Sequence, residues 1–318
     1  MKDYYQKEVN QIAAKQKQFS DCFCFAVVAD THLDNSMGDT LENLHAVSEC
    51  VRVDGLVHLG DFLNGSFPRD YTYLILNEQM ALFQDCIRPF YPVQGNHDGF
   101  SDLTKPFSPN MALDEDWYAA ISYLEQNPEA HLQKNKPYYY VDVPEKKIRM
   151  VFLCTFFYQC DAENYEKFYG TDLLQIEWVE HTALTVGEDW TVLLFSHDAP
   201  FEYFDERACT QNPRDNGNLL MDAVKNAQTE HHFILAAWFV GHFHGDYIGR
   251  VNGLNFILVA SETAYVPQLW DMPEGGYYPE RILGTVTEDL WDLVCLDQKK
   301  RKIIMLRFGA GSDRSIEY

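Results

Sequence analysis

Five short apolar segments of the chain each end in polar residues of the types that bind metal ions. The first segment, residues 23–29, is apolar without interruption, which is typical of a strand buried on both faces of a sheet. Ligands of α/β proteins bind beyond the carboxyl ends of such strands. We therefore predict one site at one sheet edge, supplied by the segments Asp30-Thr31-His32, Gly60-Asp61, Gly95-Asn96-His97-Asp98, Ser196-His197 and Gly241-His242-Phe243-His244.

The segments between the first three strands have the apolar spacing of helices. Residues 39–51 and 71–86 repeat apolar side chains at helical intervals, so strands at 23–29, 56–59 and 90–93 alternate with helices. This β-α-β-α-β order predicts a parallel layer with crossover helices. Further helices are expected at residues 2–18, 114–126, 171–185 and 217–228. Further strands are expected at 138–155 as a hairpin, at 190–196, 232–240 and 254–260, and as antiparallel strands within 282–308.

No internal repeat or flexible linker divides the chain, so we expect a single domain over residues 1–318, with two sheet layers and an N-terminal helical extension at 1–20. Residues 99–137 interrupt the alternation of strands and helices. Two interpretations stay open for them, a cap over the strand ends or a surface excursion. Two interpretations also stay open for the aromatic side chains of a later Pro- and Gly-rich stretch. They either stack on an aromatic part of a substrate or pack as ordinary loop residues. These side chains are Tyr265, Trp270, Tyr277 and Tyr278.

Composition and charge exclude several classes of protein. Hydrophobic residues make up 46% of the chain and charged residues 23%, which is the composition of a globular protein. The formal net charge of −23 repels polyanions, so we expect no long nucleic acid as a partner. The longest apolar runs have about eight residues, whereas a membrane-spanning helix needs about 20. The N-terminal residues lack an apolar export signal and the eight cysteines form no C-x-x-C pair, so we expect a cytoplasmic protein with reduced thiols.

The predicted site combines imidazoles with carboxylates. This mixture suits Mn, Fe, Co or Zn, whereas Mg and Ca sites consist almost entirely of oxygen ligands. One carboxylate can bridge two ions about 3.5–4 Å apart, which is the separation in two-metal hydrolytic sites. Glycine precedes Asp61, Asn96 and His242, where a strand must turn sharply or pass close to a ligand. These residue types favour a centre with two metal ions, for which we expect manganese, with iron, zinc or cobalt as the alternatives.

The motif set D-x-H, G-D, G-N-H-D, H and G-H-x-H resembles the calcineurin-like metallophosphoesterase superfamily. The motifs stand in the family's order between Asp30 and His244, over about two-thirds of the chain, and each follows an apolar strand. The resemblance implies an α/β fold, a four-layer α/β/β/α sandwich of mixed sheets with flanking helices. It also implies hydrolysis of phosphoester bonds by a hydroxide that bridges the two metal ions.

The resemblance further implies a role for each matching residue. One ion would be held by Asp30, His32, Asp61 and His244, and the other by Asp61, Asn96, His197 and His242. Asp61 would bridge the two ions. His97 would bind neither ion, and would protonate the leaving oxygen as a general acid.

The chain departs from the protein Ser/Thr phosphatase branch of this family after the G-D motif. That branch has a second Asp three residues on, followed by an Arg that holds phosphate, whereas this chain has Asn64 and Gly65. Asn64 can accept a hydrogen bond from His97 but cannot stabilise an imidazolium by charge. We therefore expect no protein phosphatase activity, and no charged His–Asp dyad unless Asp98 or Asp34 supplies the missing carboxylate.

Two further residues have alternative interpretations. Asp98 either orients His97 or a metal-binding histidine, or caps a loop. Arg214 either clamps a phosphate oxygen or pairs with an acidic residue on the surface. Histidines outside the motifs are interpreted as ordinary surface or core residues: His45, His58, His131, His181, His231 and His232.

The function that these features favour is hydrolysis of small phosphodiesters by a dinuclear metal centre. The alternatives within the same fold are a phosphomonoesterase and a nucleotide pyrophosphatase. The alternative from another class is a non-catalytic scaffold, which would be expected to have lost metal ligands or His97. This chain has all of them.

Overall fold

A computed structural model describes residues 1–33, 37–65, 67–99, 113–160, 165–200, 216–264 and 272–318. The α-helices in these ranges are, in chain order, α1 (Asp3–Gln16), α2 (Met37–Cys50), α3 (Arg69–Cys86), α4 (Asp114–Ile121), α5 (Leu173–Trp178) and α6 (Gly217–His231). The strands are β1 (Phe23–Val28), β2 (Leu56–His58), β3 (Phe90–Pro92), β4 (Ala130–Leu132), β5 (Tyr139–Val143), β6 (Ile148–Phe152), β7 (Phe156–Cys160), β8 (Tyr165–Tyr169), β9 (Thr191–Ser196), β10 (Ile234–Val240), β11 (Tyr247–Val251), β12 (Leu254–Leu258), β13 (Leu290–Asp297), β14 (Lys302–Gly309) and β15 (Arg314–Glu317).

The first sheet has the strand order β15-β14-β13-β1-β2-β3. Strands β1, β2 and β3 run parallel, as the alternation with helices predicts, and β13 pairs with β1 in the antiparallel direction. Helix α1 packs against β14 and α2, and α2 packs against α3. The parallel strands therefore end at one edge of the sheet, where the first three motifs begin.

The second sheet has the strand order β11-β12-β10-β9-β6-β5-β4. Its central strands β6, β9, β10 and β12 are parallel, and its edges are antiparallel. Alternate residues of β9 point to opposite faces of the sheet. Leu193 and Phe195 lie in the core between the sheets, whereas Val192 and Leu194 pack with residues of α5 and α6.

The inner faces of the two sheets pack directly on each other. The ring of Phe25 in β1 lies 5.8 Å from that of Phe195 in β9 and 5.9 Å from that of Phe239 in β10, measured between centroids. Helices cover the outer faces, which confirms the predicted α/β/β/α sandwich of mixed sheets. The structure thereby brings the carboxyl ends of parallel strands from both sheets to one region.

Several short elements differ from the expected ones. Strands β4, β11 and β15 were not expected, because three to five residues at a sheet edge carry little periodicity. Strands β7 and β8 were not expected either, and they pair with each other as a separate two-stranded sheet. The helix expected at 171–185 is α-helical only to Trp178 and continues as a π turn, Val179–Ala183. Residues 282–289 precede the antiparallel strands and are not part of them.

Part of the segment at 99–137 packs as an integral element of the fold. Helix α4 begins at Asp114, as predicted, but it ends at Ile121, and the last five residues of the predicted helix form a 3-10 turn, Ser122–Gln126. Arg69 of α3 makes a two-pronged ion pair with Asp116 at 2.7 and 2.8 Å, and the Trp117 side chain is buried. Strand β4 joins the second sheet. Residues 100–112, on which the cap interpretation depends, lie outside the described residues.

Within the described ranges, no helix combines the length and the apolar character needed to cross a membrane.

Candidate metal centre

The predicted ligands lie in the loops that follow β1, β2, β3, β9 and β10. Most of these loops hold their polar residue in the left-handed backbone region, which residues other than glycine rarely adopt. The positive φ angles are 54° at Asp30, 48° at His32, 56° at Asp61, 67° at His242 and 58° at His244. Such conformations persist only where the surrounding contacts enforce them. The site therefore depends on residues that hold the loops in place.

One group of side chains joins the β1 loop to the β10 loop. The Nε2 atoms of His32 and His244 are 3.3 Å apart, and His244 Nε2 lies 3.4 Å from Oδ1 of Asp30. The ligand atoms of these three residues all lie within 4.8 Å of one another, so one cation fits among them. These are three of the four ligands expected for the first ion.

A second group joins the loops after β2, β3, β9 and β10. His197 Nε2 lies 3.2 Å from Asp61 Oδ2, 3.2 Å from His242 Nδ1 and 3.0 Å from Asn96 Oδ1. The ligand atoms of Asp61, His197 and His242 also lie within 4.8 Å of one another. Asp61 Oδ2 is at the same time 3.8 Å from His32 Nε2 of the first group. This oxygen therefore lies between the two groups.

Backbone carbonyls set the orientation of two of these imidazoles. Nδ1 of His32 lies 3.1 Å from the carbonyl oxygen of Leu63, and Nδ1 of His197 lies 2.7 Å from that of Leu59. A carbonyl oxygen only accepts hydrogen bonds, so each Nδ1 carries the hydrogen. The Nε2 lone pair is thereby directed at the centre, as in metal-binding histidines generally.

The buried charges of the site compensate one another. Burial by itself raises the pKa of Asp61, but His197 and His97 beside it hold that pKa well below its usual range. Burial likewise lowers the pKa of His197, but the Asp61 carboxylate outweighs it and raises the pKa to about 9. An imidazole binds a metal ion only when that nitrogen is unprotonated, so metal binding here is linked to proton release.

His97 lies at the edge of the site, half-buried. Its Nδ1 donates to the carbonyl oxygen of Asn64 at 2.8 Å, and its Nε2 lies 3.9 Å from Asp61 Oδ2. The Asn64 side chain is exposed. The hydrogen bond expected between Asn64 and His97 is therefore made by the main chain, which any residue at 64 supplies. His97 Nε2 also lies within 4.8 Å of the ligand atoms of His32 and Asp61, so the geometry alone leaves His97 open as a ligand.

Asp98 ties two of the ligand loops together. Its carboxylate accepts the backbone N–H groups of Asp61 at 2.9 Å, Gly95 at 2.8 Å and Leu63 at 3.1 Å. Burial, together with the neighbouring Asp61 carboxylate, raises the pKa of Asp98 to about 7. Of the two interpretations left open for Asp98, these contacts support loop capping. Gly95 permits the close approach, since a Cβ atom there would lie 2.1 Å from the Asp61 nitrogen.

The loop that carries His242 and His244 is anchored from the first sheet. Asp246, two residues after His244, pairs with Arg307 at 2.9 Å and Arg314 at 2.6 Å, and Asp246 and Arg307 are buried. The same arginines pair with Asp292 of β13. No motif pointed to this ion-pair network, because its members are up to 68 positions apart in the chain.

His58 is a second residue whose role the motifs did not indicate. Its sequence context is that of an ordinary surface or core histidine, but its fully buried ring lies between two ligand loops. Its Nδ1 accepts the N–H of Gly60 at 3.1 Å, so Nε2 carries the hydrogen and donates to Thr31 Oγ1 at 3.1 Å. Burial lowers the pKa of His58 to about 3, so the ring stays neutral. His58 thus links the loop of Asp30 and His32 to the loop of Asp61.

Replacing His58 by phenylalanine should weaken metal binding by about 10–100-fold, the usual effect of losing a residue that orients ligands. Phenylalanine keeps the stacking on Phe62, where the ring centroids are 3.6 Å apart, but leaves Gly60 N–H and Thr31 without their partner. Calorimetric titration with Mn²⁺ measures the loss. His58→Asn, whose Oδ1 can accept the Gly60 N–H, should recover part of the affinity.

The matched control for this prediction is His131→Phe. His131 is exposed and stacks on Tyr140 with centroids 4.6 Å apart, so this change removes an imidazole far from the loops. Metal affinity equal to wild type in both phenylalanine variants would show that His58 has no positioning role.

Several residues named from the sequence lie outside the described residues. They are Asp34, Arg214, Tyr265 and Trp270. Tyr277 is described: it is 40% exposed, and its backbone pairs with that of Asp246 at 2.8 and 3.0 Å. These two hydrogen bonds anchor Tyr277 beside the loop of His244.

Comparison with known proteins identifies relatives of this fold. The family model described as calcineurin-like phosphoesterase matches residues 24–246. No curated protein matches the chain significantly. Among solved structures, a dimetal phosphatase from Danio rerio is similar with a TM-score of 0.60 and 15% identity, over 93% of this chain and 99% of that one. GAP50, the anchor in the inner membrane complex of Plasmodium, is similar with a TM-score of 0.45 and 13% identity, over 89% and 84% of the two chains.

Proposed function

The chain belongs to the calcineurin-like phosphoesterase family and is a metal-dependent hydrolase, and we propose that it uses two metal ions that share Asp61. The observation that carries this proposal is the position of Asp61 Oδ2, 3.2 Å from His197 Nε2 in one group and 3.8 Å from His32 Nε2 in the other. A carboxylate oxygen between two sets of ligands can bridge two ions about 3.5–4 Å apart, which is the separation in two-metal hydrolytic sites.

The geometry supports the assignment of ligands that the motifs imply. We assign one ion to Asp30, His32, Asp61 and His244, and the other to Asp61, Asn96, His197 and His242. We propose manganese, with iron, zinc and cobalt as the alternatives. Four of the seven residues are imidazoles, so these transition metals suit the set better than Mg²⁺ or Ca²⁺ does. When bound, the two ions supply an activated water for attack on phosphorus and neutralise charge on the phosphoryl oxygens.

We propose His97 as the general acid. The hydrogen bond from Nδ1 to the carbonyl oxygen of Asn64 leaves Nε2 facing the centre, where a protonated ring offers its hydrogen to the leaving oxygen. The N–H of His97 donates to Asp61 Oδ1 at 2.7 Å. This contact holds His97 beside the Asp61 carboxylate. It uses Oδ1 of Asp61, whereas Oδ2 is the oxygen that lies between the two groups of ligands.

Small phosphodiesters and aryl phosphates are the substrates that we propose. Gly65 provides no clamp for a dianionic monoester, and the net charge of −23 repels polyanions except near the metal ions. Phosphomonoesters and nucleotide pyrophosphates remain the alternatives within this fold. A scaffold role is disfavoured because the ligands converge with His97 at one site. We further propose one catalytic domain over residues 1–318 and a cytoplasmic location, with no long nucleic acid as partner.

Metal analysis combined with a substrate panel tests the proposal. Elemental analysis of metal-saturated protein should find two ions per chain. EDTA should abolish hydrolysis, and Mn²⁺ should restore it better than Mg²⁺, since Mg²⁺ prefers oxygen ligands. The panel contains aryl phosphomonoesters, aryl diesters, cyclic nucleotides, dinucleotides, a phosphopeptide and duplex DNA.

Two results would contradict different parts of the proposal. One ion or none per chain in the saturated protein would remove the dinuclear assignment. A higher kcat/KM for the phosphopeptide or duplex DNA than for every small diester would leave the metal chemistry intact and overturn the substrate class.

A further inference from the structure

Two buried thiols face each other on neighbouring strands, one near the beginning of the chain and one near its end. Cys24 of β1 is directly opposite Cys295 of β13, and their Sγ atoms are 3.2 Å apart. Both side chains are fully buried, and both cysteines are free thiols. The pair lies in the first sheet, away from the metal centre at its edge.

The backbone around Cys24 favours a bond between these two thiols. The N–H of Cys24 donates to the Asp54 carboxylate at 2.9 Å, and its carbonyl accepts the N–H of Asp54. The polar backbone groups of Cys24 are therefore used on the β2 side, and Cys24 and Cys295 form a non-hydrogen-bonded pair. At such pairs the Cα atoms are about 4.5 Å apart and the side chains come closest. That separation lies within the range of about 4.4–6.8 Å found for disulfides.

We propose that Cys24 and Cys295 are a site of disulfide formation, which we call the β1–β13 staple. Hydrogen peroxide is an oxidant small enough for a buried site. The thiolate of one cysteine attacks a peroxide oxygen, the O–O bond breaks, and one water leaves after protonation. The second thiol then attacks the sulfenic sulfur, the S–O bond breaks and a second water leaves. Two thiols and one peroxide thus become one disulfide and two waters.

Access to the thiols runs under the end of the N-terminal helix. The Gln16 amide at the end of α1 donates to Cys24 Sγ at 3.7 Å, and the carbonyl of Phe19 in the following 3-10 turn lies 3.9 Å from the same sulfur. A groove of about 230 Å³ is lined by Phe19, Cys22 and Leu296, residues next to the pair. Opening of this short turn would remove the contacts that Gln16 and Phe19 make with Cys24 Sγ and so expose that sulfur.

The staple would enclose nearly the whole fold. Cys24 and Cys295 are 271 positions apart, and every predicted metal ligand, from Asp30 to His244, lies between them. Closing a loop of this length removes conformational freedom from the unfolded chain. Oxidation should therefore raise the unfolding temperature by at least about 5 °C.

The test compares wild type with Cys24→Ala, Cys295→Ala and the control Cys50→Ala, whose cysteine is exposed. Each protein is treated with hydrogen peroxide, freed of it, and alkylated in denaturant. In wild type and Cys50→Ala, formation of one disulfide should remove two alkylatable thiols and yield a linked peptide containing Cys24 and Cys295. Both proteins should have a higher Tm after oxidation than before it. Dithiothreitol should reverse all three changes. Cys24→Ala and Cys295→Ala should form no such linked peptide and show no rise in Tm.

If either alanine variant fails to fold, peptide mapping of the oxidised wild type alone tests the proposal. Over-oxidation of Cys24 to sulfinic acid, or a bond from Cys24 to Cys22 instead of Cys295, would overturn the assignment of the site. A mapped Cys24–Cys295 bond with an unchanged Tm would overturn the stabilising effect of the staple.

Discussion

Asp61→Asn should leave the enzyme nearly inactive and should lower its metal content. Asparagine keeps the volume of the side chain and can still accept the N–H of His97 through Oδ1. It removes the negative charge beside His197 and His32, so two cations would face each other with less neutralisation at short range. We expect kcat/KM to fall by at least about 10³-fold, which corresponds to roughly 4 kcal/mol of barrier.

Elemental analysis and steady-state kinetics measure this effect on the same preparations. The matched control is Asp85→Asn, which removes a carboxylate from an exposed ion pair with Arg88 and should change neither quantity. An Asp61→Asn protein that retains two ions and full kcat would show that Asp61 does not bridge them.

His97→Ala should keep both metal ions and lose about 10²–10⁴-fold in kcat, the usual contribution of a positioned general acid. The loss should depend on the leaving group. Nitrophenolate needs little protonation, so its esters should lose much less rate than esters of aliphatic alcohols. Kinetics with both kinds of diester, together with metal analysis, measure the difference.

His181→Ala is the control for His97→Ala, because His181 is exposed on the turn after α5. Equal losses for good and poor leaving groups would remove His97 from the acid role. A loss of one metal ion from His97→Ala would instead favour the other interpretation of its geometry, in which His97 binds metal with His32 and Asp61.

The order of elements that position the site was predictable from the sequence. Apolar runs at β1, β2, β3, β9 and β10 are buried on both faces, so their composition shows them directly. Edge strands such as β11 and β15 are half-buried and short. Their alternation of apolar and polar residues covers too few positions to distinguish them from loops in the sequence. The pairing of β13 beside β1 joins opposite ends of the chain, which local periodicity does not reveal.

The supporting residues of the site were not predictable in the same way. Asp98 left two interpretations open from sequence, and its three contacts with backbone N–H groups favour one of them. His58 carries no motif, and its role follows from contacts with Thr31 and Gly60 that exist only after β1 and β2 have paired. The sequence predicts that the Asn64 side chain replaces a carboxylate as the partner of His97, whereas the backbone oxygen of Asn64 makes this contact.

The amino-acid order alone shows which ligand types follow which strands, because a strand end and its ligand are neighbours in the covalent chain. The family resemblance implied the division of these ligands into two groups that share Asp61, and the folded structure adds the contacts that bring each group together. That convergence depends on the face-to-face packing of two sheets and on loops held in left-handed conformations by Asp98, His58 and Asp246. These contacts join positions far apart in the chain, and local composition and spacing carry no record of them.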